Sequence, residues 1–292
     1  MRALFFFAFL VMPAVAGAHV GFGIDVADDG SILCRDAGAD RIVRIDRSGK
    51  VTTIVTGVHG NLVRAGDDGS IYYNDHERIW MRLADGSLRP LRVPDKMLKQ
   101  RREPMDLDRQ GHSYWSLPGA IVRVGPGGDV ATVVATPLLP QMASGAAGAG
   151  GAYYGKTAAG LAKINAQGEV TILSRGRASQ QRRGVDSEVS RERVVSLDVD
   201  AEERVWIAVY RDRSLHRIDG DRSEKSVYRP RWPWTPIGVV STASGPVVLE
   251  RFGDPYKIPP LPAFTGATLR VTILRSTPGG ELVPVRRIEI PR

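Results

Sequence analysis

His59, Asn61 and Glu103 are the residues of this 292-residue chain whose types suit a divalent cation, and each falls at an equivalent point of a repeat. Amide and carboxylate oxygens suit hard cations such as calcium or magnesium, and neutral imidazole ligates many metals. Asn61 and Glu103 are therefore the expected metal ligands, with calcium or another divalent metal as the candidate cofactor. Asp106, three residues beyond Glu103, pairs with it as two carboxylates for acid/base work if burial raises one pKa, and His59 is the second candidate base. The competing expectation is plainer. Glu103 beside Arg102 makes an ordinary rim ion pair, and the two carboxylates belong to a solvated strand end.

A second group suits recognition rather than reaction. The stretch Tyr228 to Pro236, YRPRWPWTP, alternates aromatic residues with Arg and Pro. Trp and Arg anchor interfaces and stack on sugar rings or cations, so Trp232 and Trp234 are candidate ligand-binding residues, unless they seal a packing junction. Arg193 closes the basic insertion Arg175 to Arg193 and is the third candidate, able to clamp an acidic ligand. As the expected mature N-terminus, His19 could chelate copper through its amine and imidazole, but the oxidative chemistry this suggests needs a second facing His, which the spacing of the others does not supply. No nucleophile elbow, Cys/His pair or zinc spacing occurs, and GAAGAGG (Gly145 to Gly151) lacks the Lys-Ser/Thr of a phosphate loop.

The elements that position these residues follow from tight turns. Asp29-Gly30, Asp68-Gly69, Gln110-Gly111, Gly150-Gly151, Glu202-Glu203 and Ser244-Gly245 recur at intervals of 39, 42, 40, 52 and 42 residues. Asp-Gly supplies the positive φ that a two-residue hairpin needs. A β-branched and aromatic run follows each: SILCRD, SIYYND, HSYWSL, AYYGKT, RVWIAV and PVVLER. Third and fourth strands then recur, as in RIVRID and VTTIV. Four strands in about forty residues make one propeller blade. The chain is thus expected to be all-β, a single six-bladed β-propeller of four-stranded antiparallel blades over residues 19–292, closed by packing of blade one on blade six. Ligands of propellers sit where the chain enters the inner strands, seven to ten residues before each turn, and that ring holds His59, Asn61, Glu103 and Arg193. Three segments depart from the repeat: Pro94 to Arg102, a helical turn or two; Arg175 to Arg193, a polar loop; and Asp254 to Gly266, with four prolines.

Arg2, the apolar run Ala3 to Val15 and the small residues Ala16-Gly17-Ala18 have the pattern of a signal peptide over residues 1–18, so the protein is expected to be periplasmic or secreted. No later apolar run is long enough for a transmembrane segment. The single Cys, Cys34, lies in an apolar strand and is expected to be a buried thiol. The net charge of +8 on an exported chain points to anionic envelope polymers or acidic ligands rather than nucleic acid.

With these residues in view, the chain resembles the NHL-repeat propellers, through Ile24-Asp25-Val26 with Asp29-Gly30, Ile71-Tyr72-Tyr73-Asn74-Asp75, and Arg41-Ile42 running to Gly49. The resemblance implies the fold and leaves function open, because such rings host binding modules and enzymes alike. It is also similar to two related propeller enzymes. Gluconolactonase-like propellers hold an axial metal through an early Glu-Gly-Pro, two Asn and an Asp, whereas Val20 to Gly23 here contains no Glu. Streptogramin-lyase-like propellers repeat Trp-Phe-Thr-Glu and use a His/Glu/His set; Val205-Trp206-Ile207-Ala208 and Tyr114-Trp115-Ser116 match that repeat in part, and the latter also resembles the YWTD receptor propellers, which bind proteins. Three functions are left: a monomeric module binding an envelope protein or anionic glycan, a metal-dependent hydrolase or lyase acting on a small-molecule ligand, or a structural propeller without a small ligand. Polar groups converging on the axis favour the enzyme. A plugged channel with exposed Trp232 and Trp234 favours the binder.

Overall fold

The computed structural model describes residues 23–75, 78–98, 104–135, 145–148, 151–157, 160–174, 194–210, 212–253, 269–277 and 280–291. The expected signal peptide, the insertion 175–193 and the excursion 254–266 lie outside the described residues, as do Glu103 and Arg193.

Six separate four-stranded antiparallel sheets follow one another along the chain, each with strands in sequence order. Blade one is Ile24–Val26, Ile32–Asp36, Arg41–Ile45 and Val51–Thr56. The inner strands of the other blades are Val63–Ala65, Asp106–Leu107, Gly145–Ala147, Val194–Val199 and Trp234–Val240. Gly145 to Ala147 of the glycine-rich run is thus a strand against the axis. The segment after Pro94 contains one helical turn, Asp95–Leu98. Among the described residues no helix is long and apolar enough to cross a membrane.

Local chemistry explains the hairpins. Gly30, Gly69 and Gly111 adopt φ of 76°, 78° and 80°, where a side chain would be strained. The preceding carboxylates hold the turns from within: Asp29 and Asp68 each accept the amide of the Ser two residues on, at 2.9 Å. Blade five makes the same turn with Glu203 at φ 58°, without glycine. Below two of these turns a half-buried carboxylate ties down an aromatic. Asp108 accepts from the Tyr114 hydroxyl at 2.9 Å, and Asp200 from the Trp206 indole at 2.8 Å. In four blades the pairing of third and fourth strands slips at the same place, as at Ile42/Val43 in blade one, and in blade six it slips three residues further along, at Ile273/Leu274. Such a bulge strengthens twist, which lets neighbouring blades splay outward from the axis.

The core is divided among the blade interfaces. One apolar cluster joins each successive pair of blades, and the cluster uniting Ile24, Cys34 and Val43 with Leu249, Val271 and Ile288 closes blade six on blade one. Arg286 adds two bonds across that seam, donating to the carbonyls of Arg47 and Ser48 at 2.6 and 2.5 Å. Because each inner strand leaves the crossing from the previous blade, all crossings and all turns between second and third strands share one face. His59, Asn61 and Trp232 lie on this crossing face. The Asp-rich turns occupy the opposite one.

Candidate functional site

The axis is occupied by charge. Counting back four residues from each repeated turn gives Asp25, Arg64, Asp106, Ala146, Asp198 and Val240, one per inner strand. The Arg64 guanidinium reaches Asp106 at 3.0 Å and Asp25 at 3.7 Å, and also donates to the Leu107 carbonyl at 3.0 Å. The three carboxylates of alternate blades each clasp the next blade. Asp25 accepts the Ala65 amide at 2.8 Å, Asp106 the Ala147 amide at 3.1 Å, and Asp198 both the amide and hydroxyl of Ser241 at 2.6 Å. Burial opposes the charge of Arg64, but Asp106, Asp25 and Asp198 outweigh it and hold the guanidinium above its ordinary range. Burial pushes the Asp198 carboxyl up, against the pull of Arg64 and the Ser241 bonds. Polar groups do converge on the channel, as an enzyme would need, yet they spend their bonds on one another and on backbone amides.

Asp106 therefore stands within this network, buried and bonded to blades two and four. His59 sits apart on the crossing face. Its ring, 53% exposed, lies 3.6 Å from Asp40, which also holds Arg35 at 3.0 Å. Asn61 is buried, and the Asn74 side-chain oxygen accepts its amide at 2.8 Å and that of Leu62 at 2.7 Å. Gly60 lies so close that an added Cβ would come 2.0 Å from the Asn74 carbonyl oxygen. This tight crossing fixes where His59 and Asn61 stand. Among the described residues no three His, Cys, Asp or Glu side chains gather as a metal group. Asp25, Asp106 and Asp198 have already given oxygens to Arg64 and to amides, so the described axial donors do not fit a bound cation.

The two tryptophans have different settings. Trp234 is buried beneath the Arg270 guanidinium, 3.9 Å from its ring centre, and meets Phe252 edge-on at 5.4 Å. Arg270 in turn pairs with Glu250, which is fully buried and also accepts the Tyr228 hydroxyl at 2.8 Å. Burial and the neighbouring Glu250 push that phenol up to about 12. Above this braced corner of blades five and six, Trp232 is 78% exposed between exposed Arg231 and half-buried Pro233, with exposed Arg229 nearby and Phe252 46% exposed. Arg213 of the adjoining turn donates to the Trp234 carbonyl at 2.8 Å.

Elsewhere Ser214, His216 and Glu224 form a relay, with Ser214 Oγ 2.8 Å from Nε2 and Glu224 Oε1 2.8 Å from Nδ1. Ser214 is fully buried, so no substrate reaches its hydroxyl, and the relay ties blade five to Ser174 of blade four through Glu224 at 2.6 Å. Sequence spacing did not single it out because its third member lies on the next strand. An offset of seven to ten residues before each turn also misses the axial Arg64, Asp25 and Asp198, which an offset of four brings out.

No family model and no curated protein matches this sequence. In fold the chain is similar to solved propeller structures. A virginiamycin B lyase from Staphylococcus aureus is 13% identical with a TM-score of 0.52, over 95% of this chain and 86% of that one. A gluconolactonase from Xanthomonas campestris is 12% identical with a TM-score of 0.57, over 81% and 84%. The calcium-binding protein regucalcin from Agrobacterium tumefaciens is 14% identical with a TM-score of 0.57, over 86% and 89%. These likenesses establish the six-bladed architecture shared with streptogramin-lyase-like and gluconolactonase-like propellers.

Proposed function

We propose that the protein is an exported binding module whose partner, an anionic glycan or an envelope protein, docks on the crossing face at the corner of blades five and six. The observation that carries this reading is Trp232: the indole stands 78% exposed beside Arg229 and Arg231, while Trp115, Trp206 and Trp234 are buried. A flat apolar face next to two guanidinium forks suits a sugar ring bearing an acid group. The Trp234–Arg270–Glu250–Tyr228 stack beneath keeps the corner rigid, so little ordering opposes binding.

Titration with dextran sulfate tests this, with uncharged dextran and polyphosphate as comparisons. Dextran sulfate should bind more tightly than either, and the double substitution Arg229→Gln/Arg231→Gln should weaken it by about tenfold or more, since each charged hydrogen bond contributes about 1.5–3 kcal/mol. Equal binding of polyphosphate would leave the indole without a role.

The second reading, a metal-dependent hydrolase or lyase at the axial mouth, is supported by fold likeness to a lyase, a gluconolactonase and a calcium-binding protein. Its candidate ligands are Asn61 and Glu103. Thermal unfolding with calcium, magnesium or manganese distinguishes the two: a metal at about a hundred times its dissociation constant adds about 2.7 kcal/mol. A rise abolished by Glu103→Ala would move the function to the axis.

A further inference from the structure

A rim pocket of about 590 Å³ opens where the outer strand of blade two meets the last turn of blade three. Its lining includes Arg78, Leu91, Arg92, Val93, Asp95 and Gly128. The volume falls in the range of small-molecule sites, and apolar lining with a few placed charges is their usual make-up. Arg78 and Arg92 are both exposed, and among the described residues neither guanidinium has an ion pair or side-chain hydrogen bond.

The same groove two seams away shows what an arginine does when the site is closed. Between blades six and one, Arg286 lies over the last turn of blade one and donates to the carbonyls of Arg47 and Ser48. A Cβ added at Gly49 of that turn would meet its Nη2 at 2.5 Å. Gly128 is the equivalent residue of blade three, with φ 91° against 93°. There the nearest atom is Cβ of Arg92, at 2.9 Å, so the stem of Arg92 rests on the turn and its fork is left over. One groove is plugged by its own side chain. The other is open with two forks at its edge.

We propose that this pocket binds a small organic carboxylate, its acid group held by Arg78 and Arg92 and its apolar body lying on Leu91 and Val93. A guanidinium fork matches a carboxylate in plane, and a second one fixes its orientation. The site is separate from the corner of blades five and six, and its existence does not depend on the function argued for that corner.

Calorimetric titration of the full chain with 1-naphthoate tests the proposal, with neutral 1-naphthalenemethanol and inorganic phosphate as comparisons. Naphthoate is expected to bind at one site, and each comparison ligand about tenfold or more weakly, since one lacks the charge and the other the apolar body. Arg78→Gln and Arg92→Gln should each weaken naphthoate by about tenfold while the far-ultraviolet circular dichroism stays unchanged. Absence of naphthoate binding in the folded wild type, phosphate binding as tight as naphthoate, or naphthoate binding undiminished in the folded double variant would each overturn it.

Discussion

At the scale of single residues, charge is placed according to what surrounds it. Arg64 is the cation that three buried or half-buried carboxylates share, and removing it leaves them facing one another. Arg64→Met is expected to cost about 3–5 kcal/mol, the usual loss on stranding one side of a buried pair, read from denaturant unfolding. Asp198 gives a sign that pH can check. Its folded pKa lies above the ordinary 3.8 because burial disfavours the carboxylate, so its contribution is fully present below that value and is lost as pH rises through the folded pKa. Asp198→Asn removes that loss. Its stability relative to wild type should increase from pH 3.5 to pH 7, while the turn aspartates, lowered in both proteins, cancel in the comparison; a flat difference would contradict the assignment. Cys34 is fully buried and burial pushes its thiol up, so a disulfide reagent should label it only after unfolding.

At the scale of elements, the blades are tied in pairs by a device that recurs every second repeat. The carboxylates of Asp25, Asp106 and Asp198 accept amides of the following inner strand or, for Asp198, of Ser241 just beyond its end, so Asp106→Ala should speed hydrogen exchange at Ala147 more than at Ala65. Equal effects at both amides would show that the clasps act as one unit. The hairpins behind these strands were legible in the sequence because glycine reaches the positive φ of a tight turn without strain, and the strand runs that follow are read correctly from SILCRD to PVVLER. The clasps were not legible in the same way. Asp25, Arg64 and Asp198 have their partners 39 to 43 residues distant, and a contact between blades leaves no local periodicity. Trp232 and Trp234 were singled out together, and only burial separates them: one step along the strand pair puts Trp234 under Arg270 and leaves Trp232 outside.

At the scale of the whole molecule, a ring closed by packing and by the bonds of Arg286 presents two unlike faces. The face of short turns is laced by aspartates, and across it Arg109 of blade three reaches Asp28 of blade one and, at 3.8 Å, Asp67 of blade two. The crossing face carries the chain between blades, the exposed indole and the arginines around it. With the axis engaged by its own charges, binding at the corner of blades five and six is the central claim, and Trp232 is its most direct test. Affinity for dextran sulfate should fall by about tenfold in Trp232→Ala and recover in large part in Trp232→Phe, because an aromatic face is what the sugar would need. Unfolding stability should meanwhile change by no more than about 0.5 kcal/mol, as for other surface substitutions. Unchanged affinity in a folded Trp232→Ala would contradict the account and return the search for function to the axial mouth.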